Sequence, residues 1–121
     1  MAKVLIVDDS PAQILNLSNL IENWGHYVIS AENGDEALQV AREESPDVIL
    51  MDVVMPGMSG FQATRKLSKD LATCRIPVIF VSTKDGEADR IWGMRQGATA
   101  YVTKPVNPEK LLSAISAAIA A

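Results

Sequence analysis

Residues 48–60 read VILMDVVMPGMSG. Four apolar residues run into a carboxylate, Asp52, and the chain passes almost at once into a turn at Pro56 and Gly57. A continuous apolar run is what a strand looks like when both faces of its sheet are covered, and Pro with Gly is what ends it. A covered strand that stops on a charge poses a question about what the charge faces. The answer depends on what flanks it.

Working outward, the strand extends back to Asp47 as DVILM (47–51), and four further β-rich runs frame it: KVLIV (3–7), YVISA (27–31), PVIFVS (77–82) and AYVT (100–103). Helical patterns separate them. Ser10 and Pro11 open the first, Ile14, Leu17, Ile21 and Trp24 repeat on one side, and Gly25 stands where a closing glycine belongs. Ala37, Leu38 and Ala41 mark a second that ends before Pro46. Ser59 with Gln62 forms a capping box for a third, carrying Phe61, Thr64, Leu67 and Leu71. A weakly patterned fourth covers 86–96 and includes Gly93, and Asn107 with Pro108 opens a fifth bearing Leu111, Leu112, Ile115 and Ile119. Five strands alternating with five helices specify an α/β, doubly wound parallel sheet with right-handed crossovers and helices on both faces.

Composition sets the bounds. The 121 residues are expected to form one domain, 1–121, with no output domain. Hydrophobic residues make up 48% and charged residues 21%, as in an ordinary globular chain. A net charge of -4 argues against a nucleic-acid surface. The single cysteine, Cys74, cannot form an internal disulfide, the apolar start before Asp8 is too short for a signal sequence, and no run approaches the roughly 18 apolar residues of a membrane span. A cytoplasmic location without membrane insertion is the expectation.

In an open α/β sheet, ligands bind beyond the carboxyl ends of the strands. Asp8 and Asp9 end strand one, Asp52 strand three, Ser82 strand four and Lys104 strand five, so these groups should meet on one edge. Three carboxylates brought within a few ångströms repel by about 1 kcal/mol per pair even in water, and more when partly buried. Hard oxygen ligands of this kind suit Mg²⁺, which takes one or two carboxylates together with a phosphate. With Lys104 as a further cation, Asp52 can act as an oxygen nucleophile toward a phosphoryl group and become an acyl phosphate. Adjacent Asp8 and Asp9 alone would read as loop or capping carboxylates, and Ser82 alone as a residue bonding its own backbone. It is their joint placement that reads as a site.

The set VDDS (7–10), LMDVVMPGMSG (50–60), VS (81–82) and YVTKP (101–105) resembles the receiver domain of two-component response regulators over essentially the whole chain. The resemblance implies a flavodoxin-like, CheY-like (βα)5 fold with strand order 2-1-3-4-5. It implies that Asp52 is the phosphoacceptor, that Asp9, Asp52 and the Val54 backbone carbonyl bind Mg²⁺, and that Asp8 holds the ion directly or through water. Lys104 would grip a phosphoryl oxygen and Ser82 would swing to the phosphate. Tyr101 would move inward with it, changing the face made by helix four, strand five and helix five. The Lys104–Pro105 peptide would be cis. The chain would catalyse only its own phosphorylation and dephosphorylation.

The stretches 60–70 and 82–106 further resemble stand-alone receivers of type IV pilus chemosensory systems, implying a CheA-like histidine kinase as phosphodonor and a role in twitching motility. Output would pass by contact to a protein target or a sister regulator, around Trp92, Tyr101 and Lys110, with a weak dimer through the same face as a further expectation. A phosphate sink, or a regulator in another chemotaxis-like pathway, is the alternative. A haloacid-dehalogenase-type phosphatase would need an acid where Val54 stands, and a flavodoxin-like cofactor binder would set its flavin phosphate against the acids.

Val54 and Lys84 depart from the polar or acidic groups that many receivers carry at these positions, and Val54 should slow loss of phosphate. Val106 follows Pro105 where an aromatic is frequent in the family. Trp24 reads as packing, Trp92 as part of a surface, His26 as a turn or strand-edge residue, Cys74 as a loop or small core residue, and Met55 and Met58 as shaping the turn.

Overall fold

The computed structural model describes residues 1–120; Ala121, the last residue of the expected domain, lies outside them. Strands and helices alternate as β1 (Lys3–Val7), α1 (Pro11–Asn23), β2 (Tyr27–Ala31), α2 (Gly34–Glu44), β3 (Val48–Met51), α3 (Gly60–Lys69), β4 (Val78–Ser82), α4 (Glu87–Arg95), β5 (Ala100–Thr103) and α5 (Pro108–Ala120). The sheet is parallel throughout in the order β2-β1-β3-β4-β5, with Val7 opposite Met51 and Ser82 opposite Thr103.

Alternation along each strand divides the core into two layers. Leu5, Val7, Ile49, Met51 and Phe80 pack against Ala37 and Ala41 of α2 and Ala63 and Leu67 of α3. Val4, Ile6, Leu50, Ile79 and Val81 face Leu17 and Ile21 of α1 and Leu111 and Ile115 of α5. Each large side chain buried this way contributes about 2 kcal/mol. Because both faces are covered, the polar residues that finish the strands emerge only at the sheet's carboxyl edge.

The helix signals act as written in the sequence. Ser10 Oγ accepts from the Gln13 N–H at 3.3 Å, Gly25 takes a φ of +89°, and Ser59 and Gln62 form the reciprocal capping box. Three boundary readings need correction. Strands three and four begin one residue late, because the Asp47 carboxylate accepts the Lys3 N–H at 2.7 Å and Pro77, lacking an N–H, offers only its carbonyl to Ile49. Leu71 lies beyond α3, 95% exposed: Asp70 caps the helix and accepts the Ala72 N–H at 2.9 Å, turning the chain away. Ile119 keeps the period of Leu111 and Ile115 but is exposed near the end of α5.

Candidate functional site

The sheet ladder carries the acids to the edge. The Asp8 N–H donates to the Ala31 carbonyl at 3.1 Å, and the Asp52 N–H to the Val7 carbonyl at 2.9 Å, so both residues are fixed by the backbone of neighbouring strands. The Lys104 N–H likewise donates to the Ser82 carbonyl at 2.8 Å. The result is a cluster in which Asp8, Asp9 and Asp52 each present a carboxylate oxygen, all within 4.8 Å of one another. Asp8 is buried, Asp52 is 9% exposed and Asp9 is open to solvent.

One cation serves this cluster from within. Lys104 Nζ lies 2.9 Å from Asp8 Oδ2 and 3.8 Å from Asp52 Oδ2, a hydrogen-bonded pair with the first and a looser ion pair with the second. The other Asp8 oxygen accepts the Ser10 N–H at 2.9 Å. Burial pushes the Asp52 carboxyl above the ordinary carboxylate value; Lys104 pulls against it, Asp8 adds to it, and the Val53 and Val54 amides oppose it. The donor set, three hard oxygens with too little positive charge among them, fits Mg²⁺.

Gly60, at the start of α3, also shapes the site. A Cβ on Gly60 would fall 2.0 Å from the Asp52 carbonyl oxygen, and the Gly60 N–H donates to the Val53 carbonyl at 2.9 Å. The loop after Asp52 can fold back on α3 only because position 60 has no side chain. Gly57 takes a φ of +75°, Met55 is buried and Met58 packs on the same core layer, which bears out turn shaping for this segment.

Ser82 is fully buried at the end of β4, where its hydroxyl accepts the Lys84 N–H at 3.2 Å. Tyr101 is half-buried and its hydroxyl donates to the Lys84 carbonyl, so both residues hold the same loop. Its ring packs 5.9 Å from Phe80 with the Arg90 guanidinium 5.5 Å above it, and burial raises its phenol pKa. Gly93, a weak point in the helical pattern, sits against these rings: a Cβ there would lie 3.1 Å from both Phe80 and Tyr101. The Lys104–Pro105 peptide is cis, as the resemblance implied.

Trp92 is 46% exposed but does not share a groove with Tyr101 and Lys110. Those two line a groove between β5 and α5 with Arg90, whereas Trp92 faces α3 beside Arg65, Lys69 and Arg95. Trp92 therefore lines a different depression from Tyr101 and Lys110. His26 Nδ1 accepts the Ala2 N–H at 3.1 Å, Trp24 packs on the α1 and α5 layer, and Cys74 is exposed. Val54 is 54% exposed beside the acids.

A fold of this order with this edge defines a class, and the family comparison agrees: residues 4–116 match the response regulator receiver domain, and the chain belongs to that family. Such domains catalyse only their own phosphorylation and dephosphorylation. Among curated proteins the chain is similar to Protein PilH of Pseudomonas aeruginosa, 57% identical over 120 residues that span 99% of each chain. Among solved structures it is similar to the chemotaxis protein CheY4 of Vibrio cholerae, with a TM-score of 0.90 and 35% identity over 98% of each chain. It is also similar to the receiver domain of a sensor histidine kinase of Pseudomonas aeruginosa, TM-score 0.91 and 25% identity, covering 99% of this chain and 98% of that one; that structure has a magnesium ion coordinated in its active-site cleft. No helix among the described residues is long and apolar enough to cross a membrane.

Proposed function

We infer that this chain is a response regulator that takes a phosphoryl group on Asp52 from a histidine kinase and signals by protein contact. The observation that carries the reading is Asp52 held against Asp8 and Asp9 with Lys104 alongside. A carboxylate oxygen of Asp52 attacks the phosphorus of the donor phosphohistidine; the new P–O bond forms as the P–N bond breaks, and the imidazole leaves with the electron pair. Lys104 turns from Asp8 toward a phosphoryl oxygen and neutralises charge as it develops. Asp9, Asp52 and the Val54 carbonyl, with Asp8 directly or through water, would hold Mg²⁺, which would supply further charge neutralisation.

Phosphorylation replaces the single charge of the Asp52 carboxylate with a phosphoryl group of about -1.5 to -2 and sets its acceptor oxygens beside Ser82. The Ser82 hydroxyl, which accepts the Lys84 N–H, then turns to donate its proton to a phosphoryl oxygen. Because Tyr101 bonds the Lys84 carbonyl, a shift of this loop passes to the face formed by α4, β5 and α5. The state in which these contacts agree is favoured by the modification, and partner binding at that face favours phosphorylation in return. The chain works as a single domain in the cytoplasm. Its similarity to Protein PilH supports a CheA-like kinase and a type IV pilus pathway, either as output or as a phosphate sink for a sister regulator.

Intact mass after incubation with acetyl phosphate tests the reading. The expected result is a phosphate-sized gain that requires Mg²⁺ and is absent in Asp52→Asn; a gain that survives the substitution, or none in the wild type, overturns it. The apolar, exposed Val54 leaves the attacking water unoriented, so Val54→Asn should shorten the acyl-phosphate lifetime severalfold. Decay followed after removal of the donor checks this, and an unchanged lifetime contradicts it.

A further inference from the structure

Positive charge in this acidic chain is concentrated where no carboxylate answers it. Arg65, Ser68 and Lys69 of α3 and Trp92 and Arg95 of α4, with Gln96, line one groove, and Arg65 and Trp92 continue into a second with Phe61 and Gln62. No acid lines either. On the far side of α3 a third depression is bordered by Arg65, Lys66 and Lys69, again without an acid. Among the described residues none of Arg65, Lys66, Lys69 and Arg95 has a carboxylate within ion-pair distance, and Asp70, next in sequence to Lys69, is held by Arg42 at 2.6 Å.

The groove is also rigid. Gln96, only 7% exposed, accepts Arg65 Nε at 2.8 Å on its side-chain oxygen and donates from Nε2 to the Trp92 carbonyl at 3.2 Å. Ser68 Oγ lies 2.9 Å from the Thr64 carbonyl and 3.2 Å from the Gln96 carbonyl, its single proton shared between the two acceptors. A buried amide thus ties α3 to the end of α4, holds the Arg65 guanidinium in one orientation and supports the backbone under Trp92. Preorganised arginine beside a half-exposed tryptophan is the composition of an interface hot spot.

We propose that the α3–α4 face is a second docking surface, separate from the face at β5, for an acidic protein segment carrying an apolar or aromatic anchor. The acids pair with Arg65, Lys69 and Arg95, and the anchor packs on Trp92. Charge complementarity specifies the sign of the partner and speeds encounter. The apolar element and the short reach of the basic cluster favour a peptide over nucleic acid, whose binding draws on extended runs of cations.

The test is fluorescence anisotropy of the wild-type chain with a library of labelled short peptides, rich in Asp and Glu and each with one Leu, Phe or Trp, beside matched peptides with Ser for the acids. Members of the acidic set should bind saturably and weaken with salt. Lys69→Glu with Arg95→Glu, neither of which makes an internal ion pair, should reduce affinity about tenfold with circular dichroism and acetyl-phosphate labelling unchanged. Trp92→Ala should weaken binding without removing its salt dependence. No binding across the library, or binding indifferent to these substitutions, overturns the proposal. Tighter binding of a single-stranded oligonucleotide or phosphatidylserine vesicles overturns it in favour of those partners. Self-association abolished by the charge reversals, with no peptide bound, assigns the face to a second copy of the chain and overturns it too.

Discussion

Two aspartates bracket α3 and meet opposite fates. Asp70, its C-cap, lies at a solvent-open corner where the Arg42 guanidinium reaches it at 2.6 Å and holds its carboxyl below the ordinary range. Asp52, just before the loop leading into the helix, is buried beside another acid, its cation is 3.8 Å away and already bonded to Asp8, and its carboxyl is pushed up. The side chain is the same; the difference is burial and whether the cation is shared. An ion pair in water settles a surface at little gain, whereas an undercompensated acid inside the fold stores unfavourable electrostatics at the edge where we place the phosphoryl chemistry. The comparison suggests that the reactive edge is carried by the rest of the fold.

The largest effect should come from removing the shared cation. Lys104→Met leaves buried Asp8 without its partner and Asp52 with none, and should lower stability by about 3 kcal/mol in urea titration with EDTA present. Adding Asp52→Asn should recover part of that loss; a full-sized loss in both would show that the two acids do not interact. Gly60→Ala comes next. Its Cβ would meet a backbone oxygen, which cannot rotate away, so about 2 kcal/mol of stability and much of the phosphorylation rate should go together. A fully active, fully stable variant would mean that the loop has slack.

Asp52→Asn alone should stabilise the metal-free protein at neutral pH. The sign follows from the raised pKa. The folded chain takes up a proton where the unfolded chain has lost it, so stability falls as pH rises from the ordinary carboxylate range through the raised value. Melting temperature against pH for both proteins should show that difference opening as pH rises; equal curves would end the comparison. Arg42→Ala should have the smallest effect. Asp70 has a lowered pKa, so its contribution exists above the ordinary carboxylate value and disappears as pH falls through the folded one. The variant should therefore melt slightly lower at neutral pH and match the wild type in acid.

These residues also mark what a sequence can reveal. Asp8, Asp52, Ser82 and Lys104 were legible because a parallel sheet brings the ends of its strands to one edge, so that local runs carry long-range information. Gly60 was not, since its reason is the Asp52 carbonyl eight positions earlier folding back on it, and no periodicity records that approach. Gln96 was hidden in the same way: its amide matters through Arg65 and Trp92, on two different helices. Leu71 misled because helical spacing continues past the point where the Asp70 cap ends the helix. Trp92 was rightly placed at the surface, but only the packing of Gly93 on Phe80 and Tyr101 fixes the rotation of α4 that turns it toward α3.

The most direct test of the central claim is to find which atom carries the phosphoryl group. Borohydride reduces an acyl phosphate to an alcohol, so the phosphorylated chain can be reduced, digested and sequenced by tandem mass spectrometry. The account predicts homoserine at position 52, dependent on Mg²⁺ during labelling, with Asp8 and Asp9 intact. Homoserine at either of those residues, or an unmodified Asp52 in a chain that gained phosphate, would contradict it.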